Sequence, residues 1–374
     1  MSRKKRGRGS RSAVWGLSGR RSRRPLYERL EERVMLSGSS ESQEFVYLLN
    51  LARHDPAKFA RDFGLSADLS QVAARPPLAL NDLLSTAATA RADELAQYNY
   101  FQHQSTVTGK WPNQLVREAG YMLPADWPNA ANFIESLAAG TNYTTADVPL
   151  KTLLTDADES SLIHRRQLLG IDEAFAANRE IGVGLAFSTT ATFGNYWAVE
   201  TARREPAAPF LTGVVFNDAN QNGQYDLGEG LAGVTITAGG LTTTTNAAGG
   251  WSLPVTPGTH HVTATGSGLP AAAANVRVGQ DNVELDFVAG RPRGLVNFAG
   301  WQNSLEPSDV NGDGRLTPLD ALLLINEVNR LGPRALSGLW TGSTTTEYFW
   351  DVSGDDQVSA LDVLQVIDAL SAPR

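Results

Sequence analysis

The sequence predicts a multidomain chain: a mixed α/β/α sandwich, then an antiparallel β-sandwich, then a small all-α unit built on acidic loops. Three observations lead there. At 374 residues the chain exceeds what one ordinary core accommodates. The apolar pattern changes along it, from helical stripes to strand-like alternation and back to helical stripes. Third, three stretches set Asp, Asn and Glu at regular intervals, and two of them are related by a period of 42 residues.

Composition narrows the functional classes. With 42% hydrophobic and 19% charged residues, the chain can pack and is not a disordered polyelectrolyte. There is no Cys, which excludes disulfides, thiolate zinc sites, iron–sulfur clusters and a Cys nucleophile together. No apolar run approaches the roughly 18–20 residues that a membrane-spanning helix needs. Gly 35 and Pro 18 point to many turns.

Residues 1–40 read as a basic, disordered sorting segment. Residues 1–36 hold twelve Lys/Arg against three Glu, a local +9 that leaves −17 on the remainder of a chain whose total is −8. The arm lacks interleaved aromatics and the acidic body repels phosphate, which argues against nucleic acid as a partner. Ser12 to Ser18 is too short and broken for a secretory apolar core of about 7–15 residues. The stretch Leu30-Glu31-Glu32-Arg33-Val34-Met35-Leu36 resembles the Leu-Glu-Pro-Arg-X-Leu-Leu segment of large bacterial surface proteins, with Glu32 in place of the Pro. That resemblance implies export to the cell surface or the extracellular space.

Residues 41–205 combine helices with a small sheet. Phe45, Leu48, Leu49 and Ala52 make one helical stripe, which Pro56 ends or kinks. Leu80, Leu83, Leu84 and Ala87 begin a second helix running toward Tyr98. Ile181 to Phe187 and Tyr196 to Val199 are short apolar runs expected as buried strands. Helices flanking such a sheet give the α/β/α arrangement.

Within this region His103 and His164 are accompanied by Glu135 and Asp156. Two imidazoles and two carboxylates can hold a divalent metal or exchange protons near neutral pH; taken singly, each His also fits a packed or surface position. Ser105 and Ser161 lie near the histidines, but no strained Gly-x-Ser-x-Gly turn surrounds either. The order Asn99-Tyr100-Phe101-Gln102-His103-Gln104-Ser105, then Glu135 before Ala138-Ala139-Gly140, then Ser161-x-x-His164-Arg165, then Ile181-Gly-Val-Gly and Tyr196-Trp197 resembles the bacterial branch of the CAP superfamily. This superfamily includes cysteine-rich secretory proteins, antigen 5 and pathogenesis-related proteins. The resemblance covers residues 42–203 and implies an α–β–α sandwich with a shallow cleft formed by His103, His164, Glu135 and Asp156, a set of side chains that could hold Zn²⁺. Two departures stand out: the family's Gly-Glu-Asn is Ile134-Glu135-Ser136, and the Gly before the second His is Ile163.

Pro206 and Pro209 mark a linker into residues 206–290. There Val234/Ile236, Trp251/Leu253/Val255, Val262/Ala264 and Val283/Leu285/Phe287 alternate with polar neighbours, the pattern of an antiparallel sandwich. Asp218, Asn220, Asn222, Asp226 and Glu229 occupy positions 1, 3, 5, 9 and 12 of a loop. Gly223 falls at the sharp turn, and Gln224 offers a carbonyl. Hard oxygen donors so spaced suit Ca²⁺. The segment Gly213 to Gly258 resembles the calcium-binding B-type repeats of bacterial adhesins, which implies a rigid spacer.

Residues 291–374 carry the duplication. Asp309, Asn311, Asp313, Arg315, Thr317 and Asp320 recur as Asp351, Ser353, Asp355, Gln357, Ser359 and Asp362. Each set leads into a helical stripe, Ala321/Leu324/Ile325/Val328 and then Val363/Val366/Ile367/Leu370. Side chains at positions 1, 3, 5 and 12, a carbonyl from Arg315 or Gln357, and Thr317 or Ser359 acting through water would complete each Ca²⁺ shell. Asp356 stands where a Gly is wanted, and Ser353 is a neutral ligand, so the first loop is expected to bind more tightly. A calcium loop feeding a helix, duplicated, resembles a type I dockerin and implies a cohesin-like protein or an envelope component as partner.

The reading is an exported bacterial modular protein with about three Ca²⁺ sites, whose C-terminal module assembles it with a protein partner. The alternative is a hydrolase, metal-assisted or linked to polysaccharide breakdown by the family association of dockerins, acting on envelope polymers through the His/Glu cleft. No paired-carboxylate glycosidase site is visible.

Overall fold

The computed structural model describes residues 26–157, 161–220, 222–288, 295–297, 301–302, 307–311, 315–336, 348–355 and 357–372. Helix α1 (Leu26–His54) begins inside the segment expected to be disordered. Its Phe45, Leu48, Leu49 and Ala52 are buried as the stripe predicts, but so are Val46, Tyr47, Asn50 and Arg53. From Ser42 to Arg53 the helix is covered on nearly every side because two different units pack against it. Asp55 accepts the Lys58 amide at 2.8 Å and caps α2 (Pro56–Asp62), so Pro56 opens a new helix where the first one stops.

The first unit continues through β1 (Ala79–Leu80), α3 (Asp82–Tyr98), α4 (Pro112–Glu118), β2 (Glu135–Gly140), α5 (Asp147–Thr155), α6 (Ile163–Leu168), α7 (Glu173–Ala176), β3 (Glu180–Phe187) and β4 (Asn195–Ala202). Its sheet has the order β1-β3-β4-β2; β1 runs parallel to β3, and the other two pairs are antiparallel. Helices cover both faces. Ile181, Val183, Trp197 and Val199 pack with Phe45 and Leu49 of α1 and Leu150 and Leu154 of α5. Leu137, Ala186, Tyr196 and Ala198 pack with Ala88, Ala92 and Leu95 of α3.

The buried side of α3 is therefore Leu84, Ala88, Ala92 and Leu95, whereas Leu83 is 42% exposed and Leu80 belongs to β1. The cause lies in β3. A Cβ added to Gly184 would stand 2.2 Å from the Ala88 carbonyl carbon, and one on Gly182 would stand 2.1 Å from that of Leu84. Only glycine on the strand permits so close an approach of the helix backbone, and a stripe chosen from the largest side chains misses it.

The second unit comprises β5 (Phe210–Phe216), β6 (Thr235–Ala238), β7 (Leu241–Thr244), β8 (Gly250–Pro254), β9 (Gly258–Gly266), β10 (Leu269–Val278), β11 (Val283–Val288) and β12 (Leu295–Asn297). The sheets β10-β9-β6-β7 and β12-β11-β5-β8 contribute to one buried core that includes Val234, Ile236, Trp251, Leu253, Val262, Leu285 and Phe287. The expectation of a wholly antiparallel unit is corrected: β5 and β11 are parallel, with Leu211 opposite Val283. They are joined through the other strands and not by a hairpin, so no tight turn forces opposite directions.

The linker at Pro206 and Pro209 does not separate the units. Val214, Phe216, Tyr225 and Val288 lie in the same buried cluster as Phe45, Leu49 and Trp197. Asn282 Nδ2 donates to the carbonyls of Pro77 at 3.0 Å and Arg179 at 2.6 Å, and Ser252 Oγ donates to Leu80 O at 2.8 Å.

The C-terminal unit contains α8 (Pro318–Leu331), β13 (Arg334–Ala335), β14 (Gln357–Val358) and α9 (Ala360–Ser371). It is not all-α as expected: Arg334 and Ala335 pair antiparallel with Val358 and Gln357, tying the exit of α8 to the second acidic loop. Val310, Leu324, Trp350, Val352, Val358 and Val366 form its core. Phe349 stacks on His54 at the end of α1, with ring centroids 5.9 Å apart. Burial pushes the His54 pKa down to about 4. Among the described residues, no helix is long and apolar enough to cross a membrane.

Candidate functional site

The two C-terminal loops repeat in geometry as well as in sequence. Thr317 N–H donates to Asp320 Oδ2 at 2.8 Å, and Ser359 N–H donates to Asp362 Oδ2 at the same distance. The other oxygen of each Asp accepts the amide at loop position 3, from Asn311 at 3.2 Å and from Ser353 at 2.9 Å. Both carboxylates are fully buried, and the position-9 hydroxyl and position-12 acid form a capping box on α8 and α9. One acidic residue thus starts the helix and faces the loop centre.

In the second loop, oxygens of Asp351, Asp355 and Asp362 lie within 4.8 Å of one another. Asp351 Oδ1 accepts the amides of Gly354 at 2.7 Å and Asp355 at 3.0 Å. Gly354 turns the chain at φ +75°. Three convergent carboxylates held by main-chain N–H groups fit a hard divalent cation. Gln357 opens β14, and Arg315 is exposed. Asp309 is buried at the matching position of the first loop, whereas Asp313 and Asp356 lie outside the described residues.

The loop after β5 closes on Asp226, whose Oδ2 accepts Asn220 Nδ2 at 2.7 Å and Asn222 Nδ2 at 2.6 Å. Gly223, at φ +80°, donates its amide to Asp218 Oδ2 at 3.1 Å. The two oxygens of Glu229 accept the amides of Ala219 and Asp226 at 2.9 and 3.1 Å. The Gln224 amide binds Asn222 Oδ1 at 2.7 Å. Asn220 and Asn222 thus turn their amide nitrogens, not their oxygens, toward Asp226, and among the described residues Asp218, Asp226 and Glu229 do not bring ligand atoms within 4.8 Å of one another, so the geometry gives the Ca²⁺ expected in this loop no support.

The front unit carries two separate His–carboxylate dyads. His103 Nδ1 lies 2.8 Å from Glu135 Oε1, and Arg91 Nε donates to Glu135 Oε2 at 2.9 Å. An Asx turn aims Glu135, with Asn132 Oδ1 accepting the Glu135 amide at 2.8 Å. His164 Nδ1 lies 2.8 Å from Asp156 Oδ1, while Asp156 Oδ2 accepts the His164 amide at 3.0 Å. Leu162, one residue before the Ile163 that replaces the family's Gly, takes a positive φ of +53°. With each Nδ1 engaged, Nε2 is the nitrogen left for chemistry. Among the described residues, no three side chains of these dyads bring one ligand atom each within 4.8 Å of one another, so the geometry gives the Zn²⁺ expectation no support. Ser105 is buried and its Oγ accepts the amides of Val107 and Thr108, which is a turn and not a nucleophile.

Two residues here escaped the sequence reading. Arg91, buried on the α3 stripe, also donates to the carbonyl of His103 at 3.0 Å and so fixes both members of the first dyad. Glu200 on β4 stands directly opposite Glu135. Burial first, and the charge of Glu135 second, push its carboxyl well above the usual carboxylate range. A Glu inside the apolar run Tyr196-Trp197-Ala198-Val199 was the available signal.

The helices α8 and α9 expose matched apolar residues. Leu319, Leu322 and Ile325 on one correspond to Leu361, Leu364 and Ile367 on the other, each at least 36% exposed.

The family model of the dockerin type I domain matches residues 307–371. No curated protein matches the chain. Among solved structures, an extracellular protein containing an SCP domain from Bacillus anthracis is similar at 14% identity, over 46% of this chain and 43% of that one, with a TM-score of 0.30. The chain therefore spans less than half the length of that protein. The CAP domain of enterococcal PrgA is similar at 17% identity, over 54% of this chain and 68% of that one, with a TM-score of 0.29. A cohesin–X–dockerin complex of type II from Acetivibrio cellulolyticus is similar at 20% identity over 43% and 94%, with a TM-score of 0.17. The duplicated loop–helix units and the matched model lead to one assignment: residues 307–371 are a dockerin type I domain.

Proposed function

We propose that the protein is an extracellular, modular component whose C-terminal domain docks it in a calcium-dependent way to a cohesin-like protein. The front unit is displayed as a CAP-type α/β/α sandwich. One observation carries this: both loops hold the same hydrogen bonds, and both following helices expose the same apolar triad. Asp351, Asp355 and Asp362, with Ser353 and Gln357, would hold one ion, and Asp309, Asn311, Asp313, Arg315, Thr317 and Asp320 another. The ion neutralises carboxylates that repel one another and fixes the angle at which each helix presents its leucines.

The test is calorimetry of the full chain against a panel of purified type I cohesins. Binding is expected in calcium and not in chelator. Leu322→Asp with Leu364→Asp should weaken it by about 100-fold or more, as loss of two central apolar anchors does. His103→Ala with His164→Ala should leave it unchanged. The paired dyads favour a second role, proton transfer at Nε2 during hydrolysis of an envelope polymer, and turnover abolished by that histidine pair would support it.

A further inference from the structure

We propose that the seam between α1 and β11 is a proton-dependent joint, in which Glu284 and Asp286 join the front unit to the β unit while protonated and loosen the seam as both ionise. Alternation along β11 points Val283, Leu285 and Phe287 into the β core, so Glu284 and Asp286 share the opposite face, roughly 6–7 Å apart along the strand. That face is covered by α1. Tyr47, Asn50, Glu284 and Asp286 are each no more than 2% exposed. Burial at a junction between units ties the charge of these carboxyls to the contact itself.

The surroundings offer little to an anion. Asp286 Oδ1 accepts the Val214 amide of β5 at 2.7 Å, while Glu284 Oε2 is buried without a hydrogen bond. Asn50 hydrogen-bonds the Glu284 carboxyl, which opposes its upward pKa shift, but that side-chain amide is shared with Leu78, donating to the Leu78 carbonyl at 3.1 Å and accepting the Leu78 amide at 2.8 Å. No Lys or Arg pairs with either acid among the described residues. Arg53, one turn along α1, is committed to the carbonyls of Pro76 and Leu168. Tyr47 meets the main chain of Tyr225, and the charge beyond it is the acidic Asp226. Burial, with the neighbouring Asp286, pushes Glu284 well up, and burial brings Asp286 up to about 7.

The sign follows from linkage. On each of the two acids the folded protein keeps a proton that the unfolded chain releases in the ordinary carboxylate range, so stability is greatest below that range. It is lost as pH rises toward 7, up to tenfold in the unfolding constant per pH unit for each proton held. This joint does not depend on the docking reading.

The test uses the full chain in saturating calcium between pH 5 and 8.5, comparing wild type with Glu284→Gln, Asp286→Asn and the double variant. Unfolding and the hydrogen exchange of residues 45–53, corrected for intrinsic rate, are both followed. The double variant should lose up to two protons' worth of pH slope, exceed wild type in stability at pH 8, and protect residues 45–53 there while α3 is unchanged. Glu284→Gln alone, whose Oε2 has no hydrogen bond to lose, should shift the same way if the double variant folds poorly. Parallel pH profiles for wild type and Glu284→Gln, or unchanged exchange at residues 45–53, would overturn the proposal.

Discussion

Glu135 and Glu200 face each other across β2 and β4, both almost fully buried, yet the surroundings assign them opposite charge states. Glu135 holds Arg91 at 2.9 Å and His103 at 2.8 Å, whereas Glu200 Oε2 is buried without a partner. Glu135→Gln removes the anion from a guanidinium whose side chain is 2% exposed. Breaking a buried pair from one side costs about 3–5 kcal/mol, but Arg91 keeps Glu94 at 3.0 Å, so about 2–3 kcal/mol is expected. Glu200→Gln exchanges one neutral group for another of similar volume and should cost less than about 1 kcal/mol at pH 5. Because the Glu200 carboxyl is raised on folding, the wild type loses stability above the ordinary carboxylate range by about 1.4 kcal/mol per pH unit until that carboxyl ionises. The Gln variant is spared that loss and should be the more stable protein at pH 8. Native-state hydrogen exchange of the β2 and β4 amides reads these differences locally. Equal losses for the two variants at pH 5, or an unchanged pH slope in Glu200→Gln, would refute the assignment of charge.

Two further outcomes follow from the packing and from the loops. Gly184→Val sets a side chain 2.2 Å from the Ala88 backbone, which cannot yield, so α3 must move and take Arg91 with it. A loss above about 3 kcal/mol in chemical denaturation is expected, and a loss under about 1 kcal/mol would contradict the close approach. Asp362→Asn removes a charge from the three-carboxylate group and the acceptor of Ser353 and Ser359. Calcium calorimetry should show one site weakened by at least about tenfold, with faster amide exchange confined to α9, whereas Asp320→Asn should do the same to the other site and to α8.

The duplicated acidic loops of the C-terminal unit were legible in the sequence because local chemistry builds them. Twelve consecutive residues supply the donors, the turn and the helix cap, so spacing alone specifies Asp351, Asp355 and Asp362. Strands such as Ile181 to Phe187 were legible for a related reason, since apolar runs bounded by glycine bury wherever they pair. What the sequence did not disclose lies between segments far apart. Nothing near Glu284 or Asp286 says that α1, more than 230 residues earlier, will cover them. Their polar side chains read instead as the solvent face of an alternating strand. The same separation hides the shared core of Tyr225 with Tyr47, whose rings stand edge to face at 5.6 Å, so a loop expected to brace a spacer reaches into the front unit. Glycines 182 and 184 displaced the α3 stripe by replacing bulk with proximity, a feature visible only once β3 is laid against the helix.

Docking by the duplicated loop–helix pair is tested most directly by titrating a type I cohesin into the intact protein, first with calcium and then with chelator. A saturable heat at one partner per chain, present with calcium and abolished by its removal, is the expected result. Absence of binding across the cohesin panel in calcium, or binding of equal strength in chelator, would contradict the account.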